Sequence, residues 1–413
     1  MSQLFQLQCP QCRRYFGNGP LTICEECFSP LEMSYDLSSI GRLIDRATIE
    51  SRPQNIWRYA ELLPVAAEHR SGLPVGFTPL LAAPTLARRL GVDGLYLKND
   101  SVCFPTLSFK DRVVAVALAQ ARAFGFEVVG CASTGNLANS VAAQAARLGL
   151  EAWIFVPSDL EPAKLLATAV YGAHLVRVDG TYDQVNRLCA EIAETRRWGL
   201  VNVNLRNYYA EGSKTVAYEI AEQLGWRLPD NVVVPMAGGA QITRIAKGFS
   251  ELVELGLVPQ SPVRIFGAQA AGCSPITTAA QQGVLEIVPQ QPATICHSLA
   301  IGNPADGYRA LQVIAASDGF AEDATDDEII RGIRMLAETE GVFGETAAGV
   351  TVAAAGKLIR DGRIKRGETT VLCITGNGLK TTDALVADLP FEPALAPKLA
   401  AFEASLDRLA VPA

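Results

Sequence analysis

The sequence predicts an α/β protein in which two doubly wound, open parallel sheets carry helices on both faces. After about residue 77, short apolar segments alternate with helical ones, which is the pattern of strand–helix units. The predicted strands are apolar almost throughout, as expected for parallel strands buried on both faces. Several run directly into small residues that begin a helix, so a ligand site is expected between the two domains, where the carboxyl ends of the strands meet.

Eight strands are predicted from these apolar runs, at Leu95–Lys98, Glu127–Ala132, Ala152–Val156, His174–Val178, Leu200–Val203, Val232–Met236, Arg264–Ala268 and Thr369–Ile374. Four compact strand–helix units predict a smaller, mobile domain over residues 122–208. The flanking residues 73–121 and 209–390 would then build the larger domain.

The N-terminal residues 1–34, here called the four-cysteine module, contain two C-x2-C pairs, Cys9, Cys12, Cys24 and Cys27. This spacing predicts a zinc-ribbon-like fold around a tetrahedral zinc ion. Because protein would fill all four ligand positions, the metal would be structural rather than catalytic. A charged, helical connector is expected at 35–72, and a tail at 391–413 should contain a helix from Leu399 to Leu409.

The composition excludes several classes of protein. With 49% hydrophobic residues in 413, the chain can bury a large core and is not disordered. The net charge is −7 and the basic residues are scattered, which argues against a nucleic-acid surface. The sequence has no run of about 18 apolar residues and no signal-peptide pattern at its start, so we expect a cytoplasmic protein without a membrane span.

Lys110 is the first candidate for chemistry. It lies in the segment Pro105–Arg112, between the strand that ends at Lys98 and a helix predicted over Val113–Phe124. A lysine held at such a junction suits Schiff-base chemistry better than a solvated surface role.

Two further strand ends favour anion binding. One strand leads into Ser133-Thr134-Gly135-Asn136, and another leads into Ala237-Gly238-Gly239-Ala240-Gln241 before a helix predicted over Ile242–Leu255. Small residues there let backbone N–H groups converge on a phosphate or a carboxylate. One lysine and two such cradles describe a pyridoxal phosphate enzyme, and Thr375, after the last predicted strand, could face the pyridine nitrogen.

These residues resemble the fold-type II, tryptophan-synthase-like pyridoxal phosphate enzymes and, within them, threonine synthase. The resemblance runs from about Phe77 to Asp383. It rests on five motifs: Ser108-Phe109-Lys110-Asp111-Arg112, Ala132-Ser133-Thr134-Gly135-Asn136, Glu211-Gly212-Ser213-Lys214-Thr215, Glu340-Gly341-Val342-Phe343 and Thr375-Gly376-Asn377-Gly378-Leu379-Lys380. A zinc-ribbon-like start is similar to that of one branch of threonine synthases.

The resemblance implies a role for each site residue. Lys110 would form the Schiff base with pyridoxal 5′-phosphate and shuttle protons. Asn136 would bind the 3′-oxygen of the cofactor, and Thr375 would face its ring nitrogen. The cofactor phosphate would be bound by the loop residues Gly238, Gly239, Ala240 and Gln241. The substrate carboxylate would be bound by Ser133, Thr134 and Asn136.

The implied activity is that of a carbon–oxygen lyase acting on a phosphate: O-phospho-L-homoserine and water give L-threonine and phosphate. The doubly negative leaving group needs cationic and hydrogen-bonding partners, for which Asn204, Arg206 and Lys214 are the candidates. Two positions depart from the family pattern, because Leu137 replaces a small hydroxyl residue and Tyr209 replaces an arginine. A homodimer is the expectation of the family.

Two alternatives remain open on the sequence. A threonine or serine dehydratase, or a cysteate-synthase-like enzyme that uses O-phosphoserine, shares nearly every motif, because one fold hosts many chemistries. The four-cysteine module favours threonine synthase over a dehydratase. An inactive scaffold is disfavoured, because Lys110 is present.

Overall fold

The computed structural model describes residues 4–133, 135–158, 162–180, 182–386 and 394–409. Its strands are β1 Phe5–Gln8, β2 Tyr15–Phe16, β3 Glu32–Tyr35, β4 Leu80–Ala82, β5 Gly94–Asn99, β6 Val128–Ala132, β7 Glu151–Pro157, β8 His174–Val178, β9 Trp198–Leu200, β10 Asn231–Pro235, β11 Arg264–Ala270, β12 Ala321–Ala324 and β13 Thr369–Ile374.

The α-helices are α1 Leu37–Ile40, α2 Arg46–Glu50, α3 Pro84–Leu90, α4 Lys110–Ala123, α5 Asn136–Leu148, α6 Pro162–Ala169, α7 Tyr182–Thr195, α8 Arg206–Glu211, α9 Lys214–Gln223, α10 Ala240–Glu254, α11 Pro275–Gln282, α12 Gly307–Ala316, α13 Asp326–Glu340, α14 Thr346–Arg360 and α15 Leu399–Leu409. Among the described residues, none of these helices combines the length and the hydropathy needed to cross a lipid bilayer.

The strands form three sheets. A six-stranded sheet has the order β12-β11-β10-β13-β5-β4, and a four-stranded sheet has the order β8-β7-β6-β9. All pairs in both sheets are parallel except β4 with β5, so the predicted pair of parallel α/β sheets is confirmed. The third sheet, β2-β1-β3, is antiparallel and belongs to the four-cysteine module.

The four-stranded sheet lies within residues 122–208, where the smaller domain is predicted. The division into domains at those boundaries stays a prediction. The connector at 35–72 contains only short helices, including a 3-10 helix at Ile56–Leu62. Ile56 and Tyr59 are fully buried, so this segment packs against the body of the protein instead of projecting from it.

Most predicted elements differ from the observed ones by one or two residues at an end, and two differ by three. The helix predicted from Val113 begins at Lys110, which puts the candidate lysine in the first turn of α4. The strand predicted over Leu200–Val203 ends at Leu200, because the side chain of Asn204 accepts a hydrogen bond from the Leu200 N–H at 2.8 Å and closes a turn. The tail helix has its predicted bounds.

The parallel topology places four chain reversals at the carboxyl ends of the sheets. Lys110 follows β5, Asn136 follows β6, and Thr375 follows β13. The loop of Gly238 and Gly239 follows β10. These loops therefore converge, as ligand-binding loops do in open α/β sheets.

Candidate active site and cysteine cluster

Lys110 lies beside two aromatic rings. Its Nζ donates a hydrogen bond to the hydroxyl of Tyr209 at 3.1 Å and lies 5.6 Å from the centroid of the Phe109 ring. The backbone N–H of Phe109 donates to the carbonyl of Thr375 at 2.7 Å, and Ser108 forms a bridge with Gly376. Backbone hydrogen bonds thus fix the lysine loop directly to the loop after β13.

The side chain of Arg112 holds the start of α4 in place through buried ion pairs. Its guanidinium is fully buried and bonds Asp100 at 2.7 Å, and it also pairs with Glu219. Lys98 lies 2.6 Å from the same Glu219 carboxylate. Burial opposes ionisation of Glu219, but the charges of Arg112 and Lys98 prevail and lower the pKa of Glu219 to about 2. Because both cations and both anions are paired, this cluster holds the helix rigidly without presenting a charge to a ligand.

Glu345 joins two of the predicted site residues. Its carboxylate accepts a hydrogen bond from Asn136 Nδ2 at 2.8 Å and another from the Thr375 hydroxyl at 3.0 Å. Glu345 is only 2% exposed, and a Cβ added at Gly376 would lie 2.5 Å from its carboxyl carbon. Glu345 was not predicted as a site residue, although it lies two residues after the motif that ends at Phe343.

Lys380 was included in a motif but was assigned no role. Its Nζ donates to Asn136 Oδ1 at 2.9 Å. Since a lysine ammonium has only donors, this contact turns the amide oxygen of Asn136 towards Lys380 and its NH₂ group towards Glu345. Burial lowers the pKa of Lys380, while the carboxylates of Asp111 and Glu345 partly oppose that effect.

The predicted phosphate loop follows β10. Gly239 has a φ of 92°, and a Cβ there would come within 2.8 Å of the carbonyl oxygen of Asp306, so a side chain is excluded by both conformation and space. A Cβ at Gly238 would meet no atom within 4 Å, which leaves space beside this residue for a ligand. Ala240 and Gln241 begin the 15-residue helix α10, whose first N–H groups have no partner within the helix.

The second cradle is described in part. Ser133 Oγ accepts a hydrogen bond from the Gly135 N–H at 3.3 Å, just before α5 begins at Asn136. Thr134 lies outside the described residues. The N-cap residue of α5 is Gly135, which has no side chain to cap the helix, so the N–H groups of the first turn are compatible with an anion cradle.

The three candidates for the substrate phosphate are dispersed. Arg206 pairs with Asp306 at 2.6 Å, and the Asp306 N–H donates to the Gly238 carbonyl at 2.9 Å, so the guanidinium lies near the phosphate loop. In contrast, the amide of Asn204 is used by the turn at β9, where Nδ2 donates to the carbonyl of Trp198 at 2.9 Å.

Lys214 is also turned away from this site. Its side chain is fully buried and its Nζ pairs with Glu211 at 2.8 Å and Glu251 at 3.0 Å. The structure therefore brings Arg206 to the site and not Asn204 or Lys214. The motif around Lys214 predicts a substrate-binding lysine, whereas its two buried ion pairs favour a structural role. Glu211 belongs to the same motif, but Glu251 lies 37 residues further along the chain and is recognisable as a partner only in three dimensions.

The two positions that depart from the family pattern have defined surroundings. Tyr209 contacts Lys110, as described above, and Leu137 packs against the main hydrophobic core. Neither offers a cation to a phosphate.

Three features of the site are compatible with bound pyridoxal phosphate. Ser108 Oγ, next but one to Lys110, is buried and lacks a hydrogen-bond partner among the described residues. A lysine amine, an asparagine amide and a threonine hydroxyl lie at the carboxyl ends of three different strands. A glycine loop that excludes side chains precedes a long helix.

The four cysteines of the module lie together. Their sulfur atoms are all within 4.8 Å of one another, with Cys9 Sγ 3.3 Å from Cys27 Sγ and Cys12 Sγ 3.7 Å from Cys24 Sγ. Tetrahedral Zn²⁺ with thiolate bonds of about 2.3 Å would separate its sulfurs by about 3.8 Å. The cluster is thus consistent with a zinc ribbon.

Comparison with known proteins defines the class first. A family model described as pyridoxal-phosphate dependent enzyme matches residues 72–376. The fold is similar to that of threonine deaminase isoform 2 from Solanum lycopersicum, with a TM-score of 0.64 and 22% identity over 81% of this chain and 90% of that one. It is also similar to diaminopropionate ammonia lyase from Escherichia coli, with a TM-score of 0.65 and 20% identity over 83% and 92% of the two chains. The fold is that of a fold-type II pyridoxal phosphate enzyme.

Sequence relatives then define the particular family. The threonine synthase of Methanocaldococcus jannaschii is 37% identical over 92% of this chain and 94% of its own length. The threonine synthase of Methanosarcina acetivorans is 34% identical over 94% and 95%, and that of Mycobacterium tuberculosis is 36% identical over 83% and 93%. The chain therefore belongs to the threonine synthase family of pyridoxal-phosphate-dependent enzymes.

Proposed function

We propose that the chain converts O-phospho-L-homoserine and water to L-threonine and phosphate, with pyridoxal 5′-phosphate as its cofactor. The observation that carries the proposal is the position of Lys110, whose amine lies beside the Tyr209 hydroxyl on a loop bonded to Thr375. Membership of the threonine synthase family supports the choice of substrate.

The residues that would hold the cofactor are those at the strand ends. Lys110 would attach it, and the backbone N–H groups of Gly238, Gly239, Ala240 and Gln241 would bind its phosphate. The amide of Asn136 would face the ring oxygen, and Thr375 would place a neutral hydroxyl beside the ring nitrogen. When bound, pyridoxal phosphate supplies an electron sink that stabilises negative charge on the substrate.

The remaining steps are assigned to residues of the chain. The Lys110 amine would remove the proton from the substrate Cα and then one from Cβ, as a general base. Arg206 would accompany the phosphate that leaves from Cγ, because a guanidinium binds phosphate oxygens in a bidentate manner. The N–H groups at the start of α5, with Ser133, Thr134 and Asn136, would bind the substrate carboxylate. The protonated Lys110 would return one proton to Cγ, which becomes the methyl group, and one to Cα, while water would give its hydroxyl to Cβ and its remaining proton to the released phosphate.

The test is an assay of purified enzyme with O-phospho-L-homoserine, in which phosphate and amino-acid product are both quantified. Equal amounts of threonine and phosphate, abolished in Lys110→Ala and retained in the exposed-lysine control Lys365→Ala, are expected. O-phospho-L-serine serves as the control substrate. Absence of turnover in a protein that still shows the absorbance of bound cofactor would reject threonine synthase and retain the pyridoxal phosphate assignment.

A second candidate takes a different leaving group. Leu137 packs into the core and Tyr209 bonds to Lys110, so the positions that hold substrate phosphate in the family carry no cation here. This favours, as the alternative, a threonine or serine dehydratase or a cysteate-synthase-like enzyme that uses O-phosphoserine. Release of a 2-oxo acid from threonine or serine, or consumption of O-phospho-L-serine, would identify it.

We further propose that Cys9, Cys12, Cys24 and Cys27 hold a structural Zn²⁺. The sulfur separations support this choice. One zinc per chain by elemental analysis, lost in Cys24→Ser, is the expected result, and a metal-free protein with an unchanged melting temperature would contradict it. A homodimer in the cytoplasm remains a prediction from the resemblance, and light scattering tests the dimer.

A further inference from the structure

Helix α8 lies between the four-cysteine module and Lys110. It is only six residues long, from Arg206 to Glu211, and successive side chains project about 100° apart around its axis, so neighbouring residues contact different parts of the protein. The side chains that contact the module and the side chains that contact the active site are therefore attached to the same short stretch of backbone. Whatever fixes one side of α8 therefore fixes the other.

On the module side, Tyr208 is part of the module's own hydrophobic core. It is fully buried and packs in one cluster with Cys9, Cys24, Leu31 and Met33. Its hydroxyl donates to the carbonyl of Gly19 at 3.0 Å and accepts from the N–H of Gly19 at 3.1 Å.

The loop of Gly19 joins the two cysteine pairs of the module. The neighbouring Asn207 donates from Nδ2 to the carbonyl of Leu21 in this loop, at 3.0 Å. Three hydrogen bonds thus tie α8 to the segment whose path the cysteines determine.

A second set of contacts fixes the end of α8. Glu211 is fully buried and pairs with Lys247 at 3.1 Å, while Lys247 also donates to the carbonyl of Met33 in β3 at 2.6 Å. A Cβ at Gly212 would lie 2.6 Å from the carbonyl oxygen of Arg112 in α4. The end of α8 is therefore wedged against the helix that carries Lys110.

On the active-site side, α8 supplies two residues. Tyr209 contacts the Lys110 amine at 3.1 Å, and Arg206 pairs with Asp306, which itself bonds Gly238 of the phosphate loop. Moving α8 would change both contacts together.

We propose that the four-cysteine module is a positioning element of the active site, and that Tyr208 is the positioning residue through which it fixes α8 and thereby Tyr209 and Arg206. The module is thus part of the catalytic architecture, not an appendage that only stabilises the chain. This proposal rests on the proposed function, in that Lys110 is taken as the residue that attaches the cofactor.

The experiment compares Tyr208→Phe with Tyr59→Phe in the full-length holoenzyme. Both changes remove one buried hydroxyl and keep the ring, but Tyr59 lies in the connector and its hydroxyl bonds Glu222 of α9, not the module. For Tyr208→Phe we expect a shifted absorption spectrum of the bound cofactor, about tenfold weaker cofactor binding and about tenfold lower kcat, as hydrogen bonds of ordinary strength are lost. Tyr59→Phe should alter the melting temperature and leave the spectrum unchanged.

Asn207→Ala provides a second variant if Tyr208→Phe does not fold, and it should change the spectrum in the same direction. Removing the metal from the holoenzyme with a chelator should do so too. A spectrum and a cofactor affinity like those of the wild type in the folded variants, with only the melting temperature lowered, would overturn the proposal.

Failure of the proposed function has a different signature. If the wild type itself binds no pyridoxal phosphate, the cofactor assignment is wrong. The positioning role is then tested by labelling with an amine-reactive reagent. Mass spectrometry measures the labelling rate of the peptide that contains Lys110, and the rates in the wild type and in Tyr208→Phe are compared. An unchanged labelling rate would reject it.

Discussion

Lys110 and Lys214 occupy two environments that differ in exposure and in the charge of their neighbours. Lys110 is half-buried, follows the carboxyl end of β5 and donates a hydrogen bond to the hydroxyl of Tyr209. Lys214 is fully buried, pairs with Glu211 and Glu251, and lies 3.7 Å from the centroid of the Tyr35 ring. A lysine that must gain and lose a proton needs an environment that tolerates its neutral form, whereas two carboxylates hold the ammonium form in place.

The sharpest test of this comparison is Lys110→Ala. We expect kcat to fall by at least about 10³-fold, because the general base is removed, while the free energy of unfolding changes by less than about 1 kcal/mol. Single-turnover kinetics and urea unfolding measure the two effects separately. A comparable loss of stability would mean that Lys110 is also a structural residue.

The converse change is Lys214→Met. Removing Lys214 leaves the buried carboxylates of its partners without enough positive charge, so we expect the free energy of unfolding to fall by about 3–5 kcal/mol. The folded protein should keep its kcat within about threefold of the wild type. Arg366→Met is the matched control, because Arg366 pairs with Asp93 at the surface and should cost less than about 1 kcal/mol. A large loss of kcat in the folded protein would return Lys214 to the active site.

The pH dependence of stability tests the buried ion cluster of Arg112, Lys98 and Glu219, which lies at the start of the helix that carries Lys110. The pKa of Glu219 is lowered from its ordinary value of 4.5 to about 2. Its carboxylate therefore contributes stability that is fully present above about pH 4.5 and is lost as the pH falls towards 2, about 3 kcal/mol in all. In Glu219→Gln the urea midpoint should be lower at pH 7, and its difference from the wild type should shrink as the pH is lowered to 3. A difference that is constant with pH would contradict the ionised pairing.

Tyr209→Phe should have the smallest effect. It removes the hydroxyl that contacts Lys110 and keeps the ring, so we expect kcat to fall by about three- to tenfold with an unchanged melting temperature. The exposed Tyr308→Phe serves as the control. An unchanged kcat in Tyr209→Phe would show that this hydroxyl does not act on the lysine during turnover.

The sequence predicts the fold well because parallel strands and strand-end glycines leave local signals. The strands at His174–Val178 and Thr369–Ile374 and the tail helix at Leu399–Leu409 have their predicted bounds. Short elements such as β4 and β12 leave no such signal, because three or four residues cannot display a period.

The proximity of three candidate site residues follows from their positions after parallel strands, while their roles stay predictions. Lys110, Asn136 and Thr375 each follow a strand, and the structure places them on adjoining loops. Glu345 could not be predicted, because a single acidic residue indicates a site only once its contacts with Asn136 and Thr375 are known. Lys214 was misleading for the same reason, since Glu251 lies far from it in the sequence.

The position of β13 has a consequence for biosynthesis. This strand lies between β10 and β5, pairing Thr369–Ile374 with Gly94–Asn99, so a central strand of the six-stranded sheet is the last of the described strands that the ribosome produces. The four-stranded sheet, complete by Leu200, can form much earlier. Until β13 emerges, the edges of β5 and β10 lack a partner and are open to aggregation. Chaperone protection of the nascent chain should therefore matter most during the interval between these two events.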